Sequence, residues 1–311
     1  MSRYPEVRAG VADVDLSGTT ALVTGSTSGI GRVAARSLGR LGADVIVHGR
    51  DDSAGTALAG ELRKMGSDAR FVRADFADVD AVRDLAAAVR EEFDALDVLC
   101  NNAGGYVRSG RLTDLGVEYT FHVNHLAPYL LTAELLDHMA AAGRVITTAS
   151  EAHRGATLDL DAVTSVEDYS AFGAYGRSKL ANVQFAMELA RRLEGSDRDI
   201  ASSALHPGAI PGSGFTRFLP GPLPALAGHL GRFPFVTTVE EGAAALVRLV
   251  AAEDLGDVSG TYFAKQRRKA PSEAALDPEA QRALWEQSAA VLGIETPLAD
   301  VNSANERGCG E

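Results

Sequence analysis

The chain is expected to fold as α/β, a doubly wound parallel sheet of about seven strands with helices on both faces. Three observations predict it: short apolar runs rich in β-formers, helical stretches set between them, and no Pro/Gly/Ser-rich linker that would divide the chain. The first unit shows the logic. TTALVTG (19–25) is a strand candidate, GIGRVAARSLGRLGA then places Val33, Ala34, Leu38 and Leu41 at helical spacing, and the apolar ADVIVHG follows at once. Strand, helix and strand in that order make a right-handed crossover between parallel strands.

The alternation continues along the chain. DARFVRAD, ALDVLCNNAG, GRVITTAS and DIASSALHPG are further strand candidates, separated by VDAVRDLAAAVREEF, by HLAPYLLTAELLDHMAA and by a helix from Ala174 to Leu193. GTYFA, after a helix from Val239 to Ala252, is the seventh. Residues 1–17 are polar and unpatterned and read as an N-terminal arm; 18–296 read as one domain, and 297–311 as a flexible tail. Within the domain, 211–236 carry Pro211, Pro220, Pro222, Pro224 and Pro234 among Leu and Phe, which suits an apolar loop.

Composition narrows the function. Hydrophobic residues make up 46% and charged residues 23%, so the chain can bury a core without staples. A net charge of −12 argues against a nucleic-acid surface, which needs cations to neutralise phosphates. Cys100 and Cys309 form neither a disulfide framework nor a metal-ligand cluster, and the seven histidines contain no HExxH set, so no metal is expected. No apolar run approaches the ~18 residues of a membrane span and the start lacks a signal-peptide core, so a cytoplasmic location without a membrane anchor is expected.

TGSTSGIG supplies a candidate phosphate loop: Gly25, Ser26, Thr27, Ser28, Gly29, Ile30 and Gly31 follow a strand and open a helix. Glycines there allow a tight turn and close approach of backbone to a pyrophosphate, and the helix N-terminus offers free N–H groups; a packing turn is the plain alternative. The second strand ends His48-Gly49-Arg50. A small residue followed by a guanidinium favours the 2′-phosphate of NADP, whereas Asp51 or Asp52 reaching a ribose would make NAD the cofactor. Asp75 and Phe76, after the third strand, are candidates for the adenine side, with a helix cap as the alternative for Asp75.

Tyr175 and Lys179 in YGRSK sit at i and i+4 on one helix face. A phenol has a pKa near ~10, and a neighbouring ammonium favours the phenolate, so the pair can work as an acid/base. A surface Tyr beside a surface Lys is the bland alternative.

That pair occurs in order with TGSTSGIG, NNAG (101–104), Asn124 and Ser150, and together these resemble the short-chain dehydrogenase/reductase family over about residues 18–265. VNHLAPYLLT, TTASEAH, LHPG and SGTYFAKQRRKAPSEAALD look more narrowly like its retinol-dehydrogenase-like branch. The resemblance implies a Rossmann-type dinucleotide-binding oxidoreductase domain that moves a hydride between a nicotinamide and a carbonyl or alcohol of an apolar small molecule. It also implies roles. Asn124 would hold a relay water, Ser150 would bond the substrate oxygen, Tyr175 would exchange the proton, and Lys179 would lower the tyrosine pKa and hold the nicotinamide ribose. Asn102, Ala103 and Gly104 would let the adenine ribose lie close, Pro207 and Gly208 would pass the nicotinamide, and Ile210 would meet its carboxamide. The family's usual Thr after Pro-Gly is replaced by AIPGSGFT, leaving Ser213 or Thr216 as substitutes. The long stretch between Ser150 and Tyr175, with 211–236, would wall an apolar substrate pocket, the second of the two having an oligomer-facing loop as its alternative, and His153 is near enough in sequence to touch substrate. Relatives pair through the helices bearing Asn124 and Tyr175, so a homodimer or homotetramer is expected. A sugar-nucleotide epimerase or dehydratase and a non-catalytic cofactor sensor are the competing readings.

Overall fold

A computed structural model describes residues 4–209 and 237–299 of the 311-residue chain. Its centre is one eight-stranded sheet in the order β3-β2-β1-β4-β5-β6-β7-β8. The strands are β1 (Thr20–Val23), β2 (Asp44–Gly49), β3 (Arg70–Arg73), β4 (Leu96–Asn101), β5 (Met139–Thr148), β6 (Ile200–His206), β7 (Thr261–Ala264) and β8 (Arg267–Arg268). All neighbours are parallel except β7 and β8, a two-residue antiparallel addition at the edge. This is the Rossmann-type doubly wound sheet the alternation predicts.

The two-residue period of the strands divides the core. Ala21, Val23, Val45 and Val47 face the layer formed by α2 (Gly29–Arg40), α3 (Asp52–Lys64) and a late helix, α8 (Val239–Ala251). Leu22, Ile46 and Leu99 face the opposite layer, formed by α4 (Val79–Glu92), α6 (Ala127–Leu135) and α7 (Ala171–Glu194). Every other residue therefore serves a different core. Caps set several helix starts: Asp51, Asp78 and Ser170 accept backbone N–H bonds at the first turns of α3, α4 and α7.

Several elements differ from the sequence reading, among them the edge strand β8, which adds an eighth to the seven expected. The arm contains a short helix, α1 (Pro5–Ala9), begun by a proline and closed by Gly10 at φ 72°, and it packs on α2 and α8. Glu6 of this helix accepts two bonds from Arg40, at 2.6 and 2.8 Å, and Arg8 meets Glu241 at 3.1 Å. The stretch expected as one helix, HLAPYLLTAELLDHMAA, begins inside a π turn (His122–Leu126) that follows α5 (Tyr119–Phe121), continues as α6 and a 3-10 turn (Leu136–His138), and from Met139 is already β5. After β8, α9 (Glu273–Leu276) leads into α10 (Pro278–Leu292), which lies on α7 and α6. There Trp285 stacks on Phe185 with centroids 5.7 Å apart, and Tyr129 donates to the Trp285 carbonyl at 3.0 Å. No described helix is long and apolar enough to cross a membrane.

Candidate active site

Strand order reverses between β1 and β4, and a cavity of about 690 Å³ opens there along the carboxyl ends of the strands. The glycine loop joins β1 to α2 at its floor. Gly25 has φ +67°, and a Cβ on it would lie 2.9 Å from the Ala103 Cα; one on Gly31 would lie 2.6 Å from both the Gly25 carbonyl and Asn102 Nδ2. Only glycine fits either place. Ser28 caps α2 with no side-chain bond to its first turn, so the leading N–H groups and the positive end of the helix dipole are left to an anion in the cleft. A bare glycine cradle at a helix start, in a cleft of this volume, fits a dinucleotide.

The structure brings most of the candidate residues to this cleft. Gly25, Thr27, Ser28, Gly29, Ile30 and Gly31 line its floor, and Arg50, Asp75 and Phe76 line the end near β2 and β3. Asn102, Ala103, Gly104 and Asn124 follow, and Ser150, Tyr175, Lys179, Pro207 and Gly208 line the end near β5 and β6. Ser26 is turned away: it is fully buried, its N–H donates to the His48 carbonyl at 2.9 Å, and its Oγ accepts from the His48 N–H at 3.0 Å. It ties the loop to β2. Ile210 and the 211–236 loop, with Ser213 and Thr216, lie outside the described residues.

Two residues that the sequence reading missed hold the cleft in shape. His48 Nδ1 accepts from the Gly25 N–H at 3.2 Å while Nε2 donates to the Ala74 carbonyl at 3.2 Å, joining the ends of β1, β2 and β3. Its ring stacks on Phe76, and burial pushes its pKa down to about 4, so the neutral tautomer is the working form. Thr24 Oγ1 accepts from the N–H groups of Asn102 and Ala103, both at 2.9 Å, and Asn102 Nδ2 donates to the Thr24 carbonyl at 2.8 Å. Asn102 thus spends its amide on the scaffold.

Tyr175 and Lys179 share a helix face as expected, and the Tyr175 hydroxyl hydrogen-bonds Ser150. Lys179 is anchored to the backbone at the end of β5. Lys179 is 3% exposed and donates to the Thr148 carbonyl at 2.9 Å, with its Nζ 5.7 Å from the Tyr175 ring centroid. Burial lowers its pKa to about 8. The Tyr175 pKa is raised above its ordinary value of 10, because burial outweighs the opposing bond to Ser150.

Asn124 sits within the π turn, a feature that re-aims side chains at functional sites. Its Nδ2 donates to the Gly105 carbonyl and to Ser178 Oγ, both at 2.9 Å, and its Oδ1 accepts from the Gly105 N–H at 2.8 Å. Both amide hydrogens are used. His153 is fully buried, with Nδ1 donating to the Ser150 carbonyl at 2.6 Å and Nε2 accepting from the Ser272 N–H at 3.1 Å. It props the Ser150 backbone and does not face the cleft.

Fold and site together define a nicotinamide-dependent oxidoreductase, and comparison with known proteins agrees. The profile of the short chain dehydrogenase family matches residues 19–218. The chain belongs to that family, whose members are NAD(P)-dependent oxidoreductases, and within it to the retinol-dehydrogenase-like branch. It is 37% identical to human retinol dehydrogenase 13 over 299 residues, covering 91% of this chain and 87% of that one. A Streptomyces sp. (strain C5) protein, named as a candidate daunorubicin C-13 ketoreductase, is 38% identical over 292 residues, covering 93% and 98%. Among solved structures, the angucycline C-6 ketoreductase LanV with bound NADP superposes with a TM-score of 0.64 at 30% identity, covering 81% of this chain and 95% of that one.

Proposed function

We propose that this protein transfers a hydride between NADP(H) and the carbonyl or alcohol carbon of an apolar small molecule, with ketone reduction as its favoured direction. The observation that carries the reading is the Ser150–Tyr175 hydroxyl pair at the cleft with Lys179 buried beside it. When bound, the nicotinamide supplies or accepts the hydride. Ser150 Oγ donates to the substrate oxygen and stabilises the charge that develops there. Tyr175, kept neutral by burial, is in the form that gives a proton to that oxygen. Lys179 has donor hydrogens beyond the one on Thr148 to hold the nicotinamide ribose. Because the Asn124 side chain is spent and residue 128 is a proline, the Asn124 main-chain carbonyl loses its α-helical donor, which makes that carbonyl the group for a relay water.

Support for NADP comes from the β2 end of the cleft. Arg50 is well exposed beside Gly49, 3.5 Å from Asp75 and 3.4 Å from the Tyr119 hydroxyl, and Arg111 lies 3.9 Å over the Tyr119 ring. Two guanidiniums near one end of the cleft suit a 2′-phosphate. Solved relatives with bound NADP point the same way. An apolar substrate is supported by Tyr106, packed edge-on against Tyr175 at 5.9 Å, by Phe172 exposed one turn before Tyr175, and by relatives named for retinol, polyprenol and angucycline. Titration of NADPH and NADH by fluorescence tests the cofactor: NADPH is expected to bind tighter, and Arg50→Ala to remove most of the preference. Tighter NADH binding by the wild type would overturn the assignment.

A further inference from the structure

Behind Lys179 runs a buried polar chain that the proposed reaction does not use. The Thr148 carbonyl accepts two donors, Lys179 Nζ at 2.9 Å and Asn182 Nδ2 at 3.0 Å. Lys179 and Asn182 stand at i and i+3 on α7, which brings both to one acceptor. On the far side of Asn182, its side chain interacts with that of His125, and the two atoms left without a regular partner are Asn182 Oδ1 and His125 Nδ1, which pairs them by elimination. The other ring nitrogen, Nε2, lies 2.9 Å from Ser288 Oγ on α10. His125, Asn182 and Ser288 are all buried.

Proton counting decides how this chain is wired. Ser288 has one hydroxyl hydrogen and two acceptors for it, the Leu284 carbonyl at 2.7 Å and His125 Nε2. If the hydrogen goes to Leu284, Nε2 must be the protonated nitrogen, and the Nδ1 lone pair confronts Asn182 Oδ1. If it goes to Nε2, Nδ1 carries the proton and donates to Asn182 Oδ1, so two buried atoms gain partners while Leu284 gives up only an accessory bond. Leaving buried polar atoms unpaired is the costlier choice. The Nδ1-protonated ring then fixes the amide of Asn182, with Oδ1 toward His125 and Nδ2 toward Thr148.

We propose that His125 and Asn182 are positioning residues for Lys179, with α10 as their anchor through Ser288. Without the His125 donor the Asn182 amide is free to turn, presenting Oδ1 to the shared carbonyl and drawing the ammonium off its station. The inference rests on the reading above, in which Lys179 holds the nicotinamide half of the cofactor.

Equilibrium titration with two ligands tests it. NADPH reaches Lys179, whereas adenosine 2′,5′-bisphosphate has the 2′-phosphate end and no nicotinamide ribose. His125→Phe is expected to raise the NADPH Kd about tenfold, the size of one lost contact, and to leave the bisphosphate Kd unchanged. His125→Asn, whose amide can still donate to Asn182, is expected to recover most of the loss, and Ser288→Ala to show a smaller rise of the same kind if His125→Phe does not fold. Equal weakening of both ligands, no weakening in any variant, or no recovery in His125→Asn would overturn the proposal. Failure of the wild type to bind NADPH would instead overturn the reading of function beneath it.

Discussion

Lys179 donates to the Thr148 carbonyl at 2.9 Å, and its Nζ stands 5.7 Å from the centre of the Tyr175 ring. The ammonium is therefore held by the end of β5, and the tyrosine hydroxyl is left to Ser150. A buried cation with one backbone partner is costly to the fold and useful to a ligand that brings oxygen acceptors.

Replacing that cation should separate stability from activity. Lys179→Met is expected to cut turnover about 10²–10⁴-fold while leaving the melting temperature at pH 7 equal to or above the wild type. The unfolded lysine keeps its proton to about 10.5 and the folded one to about 8. Between those values the unfolded state binds more protons, so wild-type stability gains from this group as pH rises from 8 to 10.5. Melts across that range should show a gain in the wild type that the variant lacks.

Acid should loosen the fold through its buried histidines. Burial lowers His48, His122 and His206 to about 4 and His125 to about 3, from an ordinary value of 6.5. Their unfolded forms take up protons first, so stability is intact above pH 6.5 and falls progressively down to about pH 4. His48 alone accounts for roughly 3 kcal/mol. Denaturant melts at pH 7, 5.5 and 4.5 measure it, and His48→Gln should flatten part of the fall.

The glycine cradle makes a sharper demand. Gly31→Ala puts a methyl 2.6 Å from the Gly25 carbonyl and Asn102 Nδ2, so the loop must open. NADPH binding is expected to weaken at least about 100-fold, while circular dichroism stays that of a folded protein. Fluorescence titration provides the check.

The strands and the glycine loop were readable because apolar runs, glycine spacing and parallel crossovers are local signals. Side-chain direction is not local. Ser26 and His153 stand beside functional residues in sequence, yet Ser26 turns to β2 and His153 to Ser272. His48 read as a strand-end residue, and its bond to Gly25 exists only because β1 and β2 are neighbours. The helix α10 did carry signals: Asp277 before Pro278 at its start and Gly293 at φ +63° after its end. The π turn carried a weaker one in Pro128, which removes a helical donor just beyond Asn124.

Helix α10 also bears on assembly. It occupies part of the surface of α6 and α7 where subunits were expected to pair, and Trp285 fills it against Phe185 and Tyr129. Trp285→Ala, which empties a buried site, is expected to cost about 3–5 kcal/mol in denaturant melts.

The most direct test concerns Tyr175 as proton donor within the unit of Ser150, Tyr175 and Lys179. Single-turnover oxidation of NADPH, followed by absorbance with an aromatic ketone that the wild type reduces, should slow about 10²–10⁴-fold in Tyr175→Phe while NADPH affinity is retained. Undiminished hydride transfer in that variant would contradict the account.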